Sequence, residues 1–245
     1  MDFNQFEMMM KKLVGIIGGA GVAATNKLLE IIETSLTQNG AFRDCHHPEM
    51  VVYQATQAPS RSMFLEGKGK NFFDDYVNIG LRLKSINATK LCMCCNTAHY
   101  SIFELEKAIG LPFINLIDSV IEKAAAKKYK NIALIASDGC LLGRVYEKSL
   151  ERMQADMHFI YPDRDMQQMV TKGICNIKNI KRFQKDDEEN PVTIFSNIDK
   201  FFAEKGVDAI IWGCTDIGVV SFPTMCQSID SLHVLAEKII EEYNS

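Results

Sequence analysis

Two cysteines stand where acid/base chemistry would need them. Cys95 closes the apolar run Leu91-Cys92-Met93-Cys94-Cys95 and is followed by Asn96-Thr97, while Cys214 follows Val207-Asp208-Ala209-Ile210-Ile211-Trp212-Gly213 and precedes Thr215. Short apolar runs that stop at turn residues read as buried strands, so each thiol lies just past the carboxyl end of a strand. In parallel α/β sheets ligands bind there, because backbone N–H groups at the start of the next helix point outward. A thiol with an unperturbed pKa of about 8.5 can hold or release a proton near neutrality. Two thiols facing one small substrate could take a proton from one face of a carbon and deliver another to the opposite face. Such chemistry requires no external cofactor. It does require donors already in place for the negative charge that develops on the substrate, and Gly18-Gly19-Ala20-Gly21, Asn96-Thr97 and Thr215 could supply them.

The same residues admit other uses. Cys92 and Cys95 form a Cys-x-x-Cys pair, which in other settings is a redox dithiol or half of a metal site. Here the first cysteine lies inside the strand, and the second pair that a zinc site needs is missing, so no metal is expected. The glycines at 18, 19 and 21 lack the third glycine of a dinucleotide turn and are followed by no phosphate-loop lysine. A nest for a carboxylate is the simpler reading. Cys45, Cys175 and Cys226 read as small buried apolar residues, and His99 as a helix residue that supports the site.

The elements that must position the thiols follow a repeated plan. Leu13-Val14-Gly15-Ile16-Ile17 is a strand that enters the glycine turn, and from Thr25 the apolar residues Leu28, Leu29, Ile31, Ile32 and Leu36 recur at helical spacing. Met50-Val51-Val52-Tyr53 is a second strand, residues 57–62 a loop because Pro59 cannot continue a central ladder, residues 72–86 a helix, and another helix begins near Ala98. The second half opens with a strand over residues 131–136, a turn at Ser137-Asp138-Gly139-Cys140 and a helix over 145–153. The interval from Gly19 to Cys95 and that from Gly139 to Cys214 differ by one residue, so the two cysteines hold equivalent places in two similar halves. Alternating strands and helices imply mainly parallel sheets flanked by helices. The expected fold is therefore α/β, with two pseudo-symmetric lobes and the active site in the cleft between them. The first lobe comprises residues 1–115 and 222–245 and carries Cys95, and the second comprises residues 116–221 and carries Cys214. The terminal helix, capped by Asp230 or Ser231, returns to the first lobe. The acid- and lysine-rich piece 178–190 reads as a solvated loop or helix end.

Composition narrows the partners. With 245 residues and a net charge of −4, the chain lacks the clustered positive field that nucleic acid or an anionic membrane would need, so a small molecule is the expected partner. Residues 1–12 hold no apolar run long enough for a signal peptide or a membrane span and read as a short extension. Eight cysteines spread over a chain of this length suit reduced thiols in a cytoplasm better than a disulfide scaffold.

Cys95-Asn96-Thr97-Ala98-His99 and Gly213-Cys214-Thr215-Asp216-Ile217 resemble the two catalytic motifs of the aspartate/glutamate racemase family. Gly18-Gly19-Ala20-Gly21 with Ala24-Thr25 resembles that family's N-terminal glycine motif, Pro59-Ser60-Arg61-Ser62 its arginine loop, and Asp230-Ser231 the start of its last helix, so the likeness spans nearly the whole chain. It implies racemisation of an amino acid, aspartate or glutamate first, without pyridoxal phosphate, by Cys95 and Cys214 in a homodimer. It also implies that Arg61 contacts a substrate carboxylate and that Asn96, Thr97 and Thr215 hold the α-carboxylate or position the thiols. Gly19 and Gly21 of the glycine motif, and Ser137, Gly139 and Cys140 of the turn that stands where the family has a threonine-rich one, complete the expected substrate site. Lys178 matches a lysine of some members and is given no role. The chain departs from the family pattern at Ala20, Val22, Ser60 and Asp216, which bears on specificity more than on reaction type. Two other functions fit the same cleft: a related isomerase or decarboxylase of a non-amino dicarboxylate, which loss of one cysteine would have favoured, and a catalytically silent metabolite-binding protein.

Overall fold

The computed structural model describes residues 12–245. The extension expected at the start of the chain lies, Lys12 apart, outside the described residues. The first half builds a parallel sheet of β1 (Leu13–Gly18), β2 (Glu49–Gln54) and β3 (Lys90–Met93) in the order β2-β1-β3, with Ile16 opposite both Val52 and Cys92. The second half builds a parallel sheet of β4 (Asn131–Ile135), β5 (His158–Ile160), β6 (Ala209–Trp212) and β7 (Ser228–Asp230) in the order β5-β4-β6-β7. A parallel bridge from Leu91 to Phe113 stands beside β3 where β7 stands beside β6, so the two sheets share one strand order. Strands such as β1, buried along all but their first residue, carry unbroken apolar sequence because helices cover both faces of a parallel sheet.

The halves interlock through their last helices. The Phe113 bridge leads into α5 (Leu116–Ala126), capped by Asn115, whose side chain accepts from the amides of Ile117 and Asp118; β7 leads into α10 (Ser231–Asn244), capped by Asp230, which accepts from Leu232 at 2.7 Å. The capping carboxylate or amide satisfies amides that the first helical turn leaves without a partner. Helix α5, which ends the first half, packs on α7 (Val145–Met153) of the second, while α10, which ends the second half, packs on α1 (Val22–Gln38) of the first, and α5 and α10 pack on each other. One apolar core therefore runs from Leu28 and Ile32 of α1 through Val120 and Leu235 to Leu134 and Tyr146. The outer faces of the two sheets have their own cores, around Tyr76 and Leu105 on one side and Phe195 and Trp212 on the other.

Three sequence expectations change. Cys45 and Cys175, expected to be buried, are exposed, Cys45 in a short turn outside both sheets. Residues 222–245 do not go to the first lobe as one piece: α10 does, but β7 stays hydrogen-bonded to β6 in the second sheet, because the chain must complete that sheet before it can cross back. The loop expected over residues 57–62 ends in a short helix, α2 (Arg61–Leu65), because Ser60 turns its hydroxyl to the Met63 amide and starts a helical turn. Among the described residues no helix is long and apolar enough to cross a membrane.

Candidate active site

The two cysteines occupy matching positions, each two residues beyond its strand: Cys95 after Met93 of β3, and Cys214 after Trp212 of β6. The residue before each is tied in the same way, Cys94 N–H to the Ile17 carbonyl at 3.1 Å and Gly213 N–H to the Ile135 carbonyl at 2.7 Å. The thiols lie close enough for charge on one to act on the other. Cys95 is 8% exposed, whereas Cys214 keeps part of its surface open although it sits deep in the protein. Cys92 and Cys94 point to the core shared by the lobes, while Cys95 belongs to the outer core of the first sheet. Strand alternation thus sends Cys92 and Cys95 to opposite faces and separates the Cys-x-x-Cys pair. Burial pushes the Cys92 thiol up to about 12. Among the described residues no three His, Cys, Asp or Glu side chains form a group that could hold a metal ion.

The Cys95 side is built from α2 and the glycine turn. Gly19 has φ +76, a left-handed conformation that glycine adopts without steric cost, and its amide donates to Thr25 Oγ1 at 2.9 Å, which in turn donates to the Gly21 carbonyl at 3.0 Å. Arg61 at the start of α2 donates from Nη2 to the Ala20 carbonyl at 3.0 Å and from Nη1 to the Pro59 carbonyl at 3.1 Å. Its guanidinium also lies beside the Cys95 thiol; burial works to lower the arginine's pKa, but Cys95, Tyr76 and Asp216 outweigh burial and raise it. Behind Cys95 the ring of His99 bridges two main-chain groups: Nε2 accepts from the Leu116 amide at 3.2 Å, so Nδ1 carries the proton and donates to the Cys95 carbonyl at 2.9 Å. Burial holds this imidazole neutral, with its pKa down to about 4. His99 therefore fixes the backbone of Cys95 and is not a proton carrier near neutrality.

The Cys214 side is acidic. Asp216, 5% exposed, comes from the turn after β6 and reaches across to the glycine turn, where a Cβ at Gly21 would lie 2.0 Å from Asp216 Oδ1. Only glycine leaves room for that approach. Burial raises the Asp216 carboxyl to about 6 against the opposing pull of Lys178 and Arg61. Burial, and then the charge of Asp216, raise the Cys214 thiol well above its ordinary value. Lys178, which the sequence left without a role, thus acts on the site from the end of α8 (Arg164–Ile177).

The lobes are pinned together by the remaining expected site residues. Thr97 Oγ1 and Ser137 Oγ are 3.1 Å apart, Ser137 Oγ accepts from the Cys140 amide at 3.3 Å, and Thr97 hydrogen-bonds the buried Cys140 thiol, whose pKa burial raises. Gly139 N–H donates to Ser62 Oγ at 3.0 Å, and a Cβ at Gly139 would meet the Ser62 Cα at 2.4 Å. The Asn96 amide accepts from Tyr146 at 2.7 Å and donates to Ser231 at 2.9 Å, which donates on to the Trp212 carbonyl at 2.9 Å. Thr215 donates to the Cys94 carbonyl at 3.3 Å. Tyr146, which carried no motif signal, and Ser231, which the sequence marked only as the start of the last helix, complete this buried lattice, and Tyr76 joins Cys95 in the outer core.

The sequence profile of the family described as Asp/Glu/hydantoin racemase matches residues 14–239. The broad specificity amino-acid racemase RacX of Bacillus subtilis (strain 168) is 23% identical over 236 residues, covering 94% of this chain and 98% of that protein. The aspartate racemase of Picrophilus torridus superposes with a TM-score of 0.78 at 28% identity, covering 95% of this chain and 94% of that one. An aspartate racemase homologue from Pyrococcus horikoshii shares the fold with a TM-score of 0.73 at 19% identity, over 96% of this chain and 100% of that one.

Proposed function

The chain belongs to the Asp/Glu/hydantoin racemase family, and from that premise we propose that it inverts the α-carbon of a small acidic amino acid, aspartate first, with Cys95 and Cys214 as the two proton carriers and no cofactor. The observation that carries this reading is the matched placement of the two thiols after equivalent strands of two equivalent sheets. One cysteine as thiolate takes the α-proton, and the electron pair left behind spreads into the substrate carboxylate. The opposite thiol gives its proton to the other face and becomes the thiolate, so the reverse reaction runs with the roles exchanged. The Cα–H bond is a very weak acid beside a thiol, so negative charge on the carboxylate must meet fixed donors. Arg61 supplies one, and the positive end of α1, which starts at the glycine turn, adds to it.

Aspartate is placed first because the relative at 28% identity is an aspartate racemase and because Arg61 and Lys178 bring two cations to the site. RacX, described as having broad specificity, makes a panel of amino acids the right assay. Proton NMR in deuterium oxide with L- and D-amino acids and no added cofactor tests the reading. Loss of the α-proton signal together with inversion, for aspartate before other substrates, is the expected result; a panel with no exchange at all contradicts it.

A further inference from the structure

Three buried polar atoms around the thiols have no hydrogen-bond partner: the phenolic oxygen of Tyr76, Nε of Arg61 and Oδ1 of Asp216. Only the third belongs to a group that carries negative charge. Burying a charge is costly unless it is paired and hydrogen-bonded, so this carboxylate marks a place left for a cation. Its position is fixed from both lobes. The main-chain N–H of Asp216 is hydrogen-bonded to the Cys214 sulfur, and its carbonyl accepts from the Val219 amide at 3.1 Å, so the side chain leaves its turn beside the thiol. Opposite it Gly21 presents no side chain, and a Cβ there would overlap Oδ1 and stand 2.8 Å from Cγ. Arg61 and Lys178 act on the carboxylate through charge and not through a hydrogen bond. The site thus sets two cations and one anion around the thiols. An amino acid with a second carboxylate carries the complement, two anions and one cation.

We propose that Asp216 is a specificity-determining residue that receives the substrate's α-ammonium, so that the site selects amino acids over dicarboxylates that lack the amino group. The inference rests on the racemase reading above and deepens it, by naming the group that recognises the amino end. An ammonium donating to Oδ1 forms a charge-assisted hydrogen bond, the stronger kind, and satisfies the atom that the protein itself leaves without a partner. The same contact positions the reaction. The ammonium nitrogen is bonded directly to the α-carbon, and the Asp216 amide directly contacts the Cys214 sulfur, so holding one end brings the α-carbon to the thiol. A dicarboxylate without the nitrogen would set its own charge against the buried carboxylate with nothing between them.

The test is isothermal titration calorimetry of the whole protein with two ligands, racemic aspartate and succinate, which share two carboxylates and differ by the ammonium. Buffer at about pH 8 keeps the Asp216 carboxyl, held near 6, in its charged form. The unaltered protein binds aspartate the more tightly. Asp216→Asn keeps the shape of the side chain and weakens aspartate by about 10-fold or more, the loss of a hydrogen bond between charged groups, while succinate binds as before or more tightly. Asp216→Ser removes the same charge with less to pack against Gly21, and gives the same split. Equal weakening of both ligands, which a merely structural carboxylate would cause, overturns the proposal. So does a preference for aspartate that survives in both variants, or aspartate bound no better than succinate by the unaltered protein. Because this readout needs no turnover, a chain that shows the split yet exchanges no amino acid would refute the proposed racemisation alone. A chain that exchanges amino acids and keeps its preference in both variants would refute only the role of Asp216.

Discussion

The Cys95 half and the Cys214 half of the cleft start from the same topology and end with opposite electrostatics. Both thiols follow the third strand of their sheet, both are preceded by an amide bonded to the first strand, and both are followed by a short 3₁₀ turn. Yet Cys95 is met by a guanidinium and by a neutral imidazole behind its carbonyl, while Cys214 is met by a carboxylate that burial holds near pKa 6. The difference shows that a duplicated backbone supplies two equivalent positions and that neighbouring side chains then assign them unlike work. In a two-base reaction one carrier must start empty and the other full, so inequality between the halves is useful at rest.

The strongest way to break this comparison is to remove one carrier. Cys95→Ala and Cys214→Ala should each lower the racemisation rate by about 10³-fold or more, within the range that general acid/base groups contribute, whereas Cys45→Ala, at an exposed position, should leave it unchanged; chiral chromatography of the product measures this. Near-equal rates in Cys214→Ala and the unaltered chain would end the two-carrier account.

A second way sets His99 against Asp216 through pH. His99 is held at about 4 against an ordinary 6.5, so the unfolded chain binds more protons than the folded one in that window, and stability from this group rises with pH between about 4 and 6.5. Asp216 is held at about 6 against 3.8, so the folded chain binds more protons between those values, and stability from this group falls as pH rises through them. Each shift corresponds to about 3 kcal/mol at 1.36 kcal/mol per unit, with opposite sign. The two contributions offset one another from pH 4 to 6. Asp216→Asn should uncover the histidine, giving a variant that gains stability relative to the unaltered protein as pH rises over that range, by up to about 3 kcal/mol in urea unfolding. A constant difference across pH would show that the carboxyl is not perturbed.

Smaller effects sharpen the comparison. Gly21→Ala drives a Cβ into the Asp216 carboxylate and should destabilise by about 2 kcal/mol, a typical cost of overpacking, with Asp216→Gly in the same chain restoring most of the loss in thermal unfolding. Tyr146→Phe deletes the 2.7 Å bond to Asn96 and should cost about 1 kcal/mol in urea unfolding.

Much of this molecule was legible in its sequence, and the reasons are particular. Strands β1, β3, β4 and β6 are continuous apolar runs that stop at Gly, Asn or Ser, so their ends, and with them Cys95 and Cys214, could be placed. The near-equal spacing of the two halves disclosed the repeat. By contrast β5 has three residues and β7 has three, too few to show a period, and β7 is the strand whose place moved. Residue 178 stood in a charged stretch that reads as solvated surface, and only the way α8 ends brings it to Asp216. Tyr76 carried the spacing of a core residue on a helix and is one; no pattern in one sequence announces that its hydroxyl lacks a partner. Asp216 was visible as a departure from a family motif, but its burial against Gly21 depends on how the lobes meet.

The central claim is that two cysteines act on opposite faces of one α-carbon. Single-turnover exchange in deuterium oxide tests it most directly, with pure L- and pure D-aspartate offered separately to Cys95→Ala and Cys214→Ala and the α-proton followed by NMR. The account predicts that neither variant inverts the substrate, and that any exchange each retains is confined to one enantiomer, of opposite hand in the two variants. Exchange of both enantiomers in one variant, or of the same enantiomer in both, would contradict it.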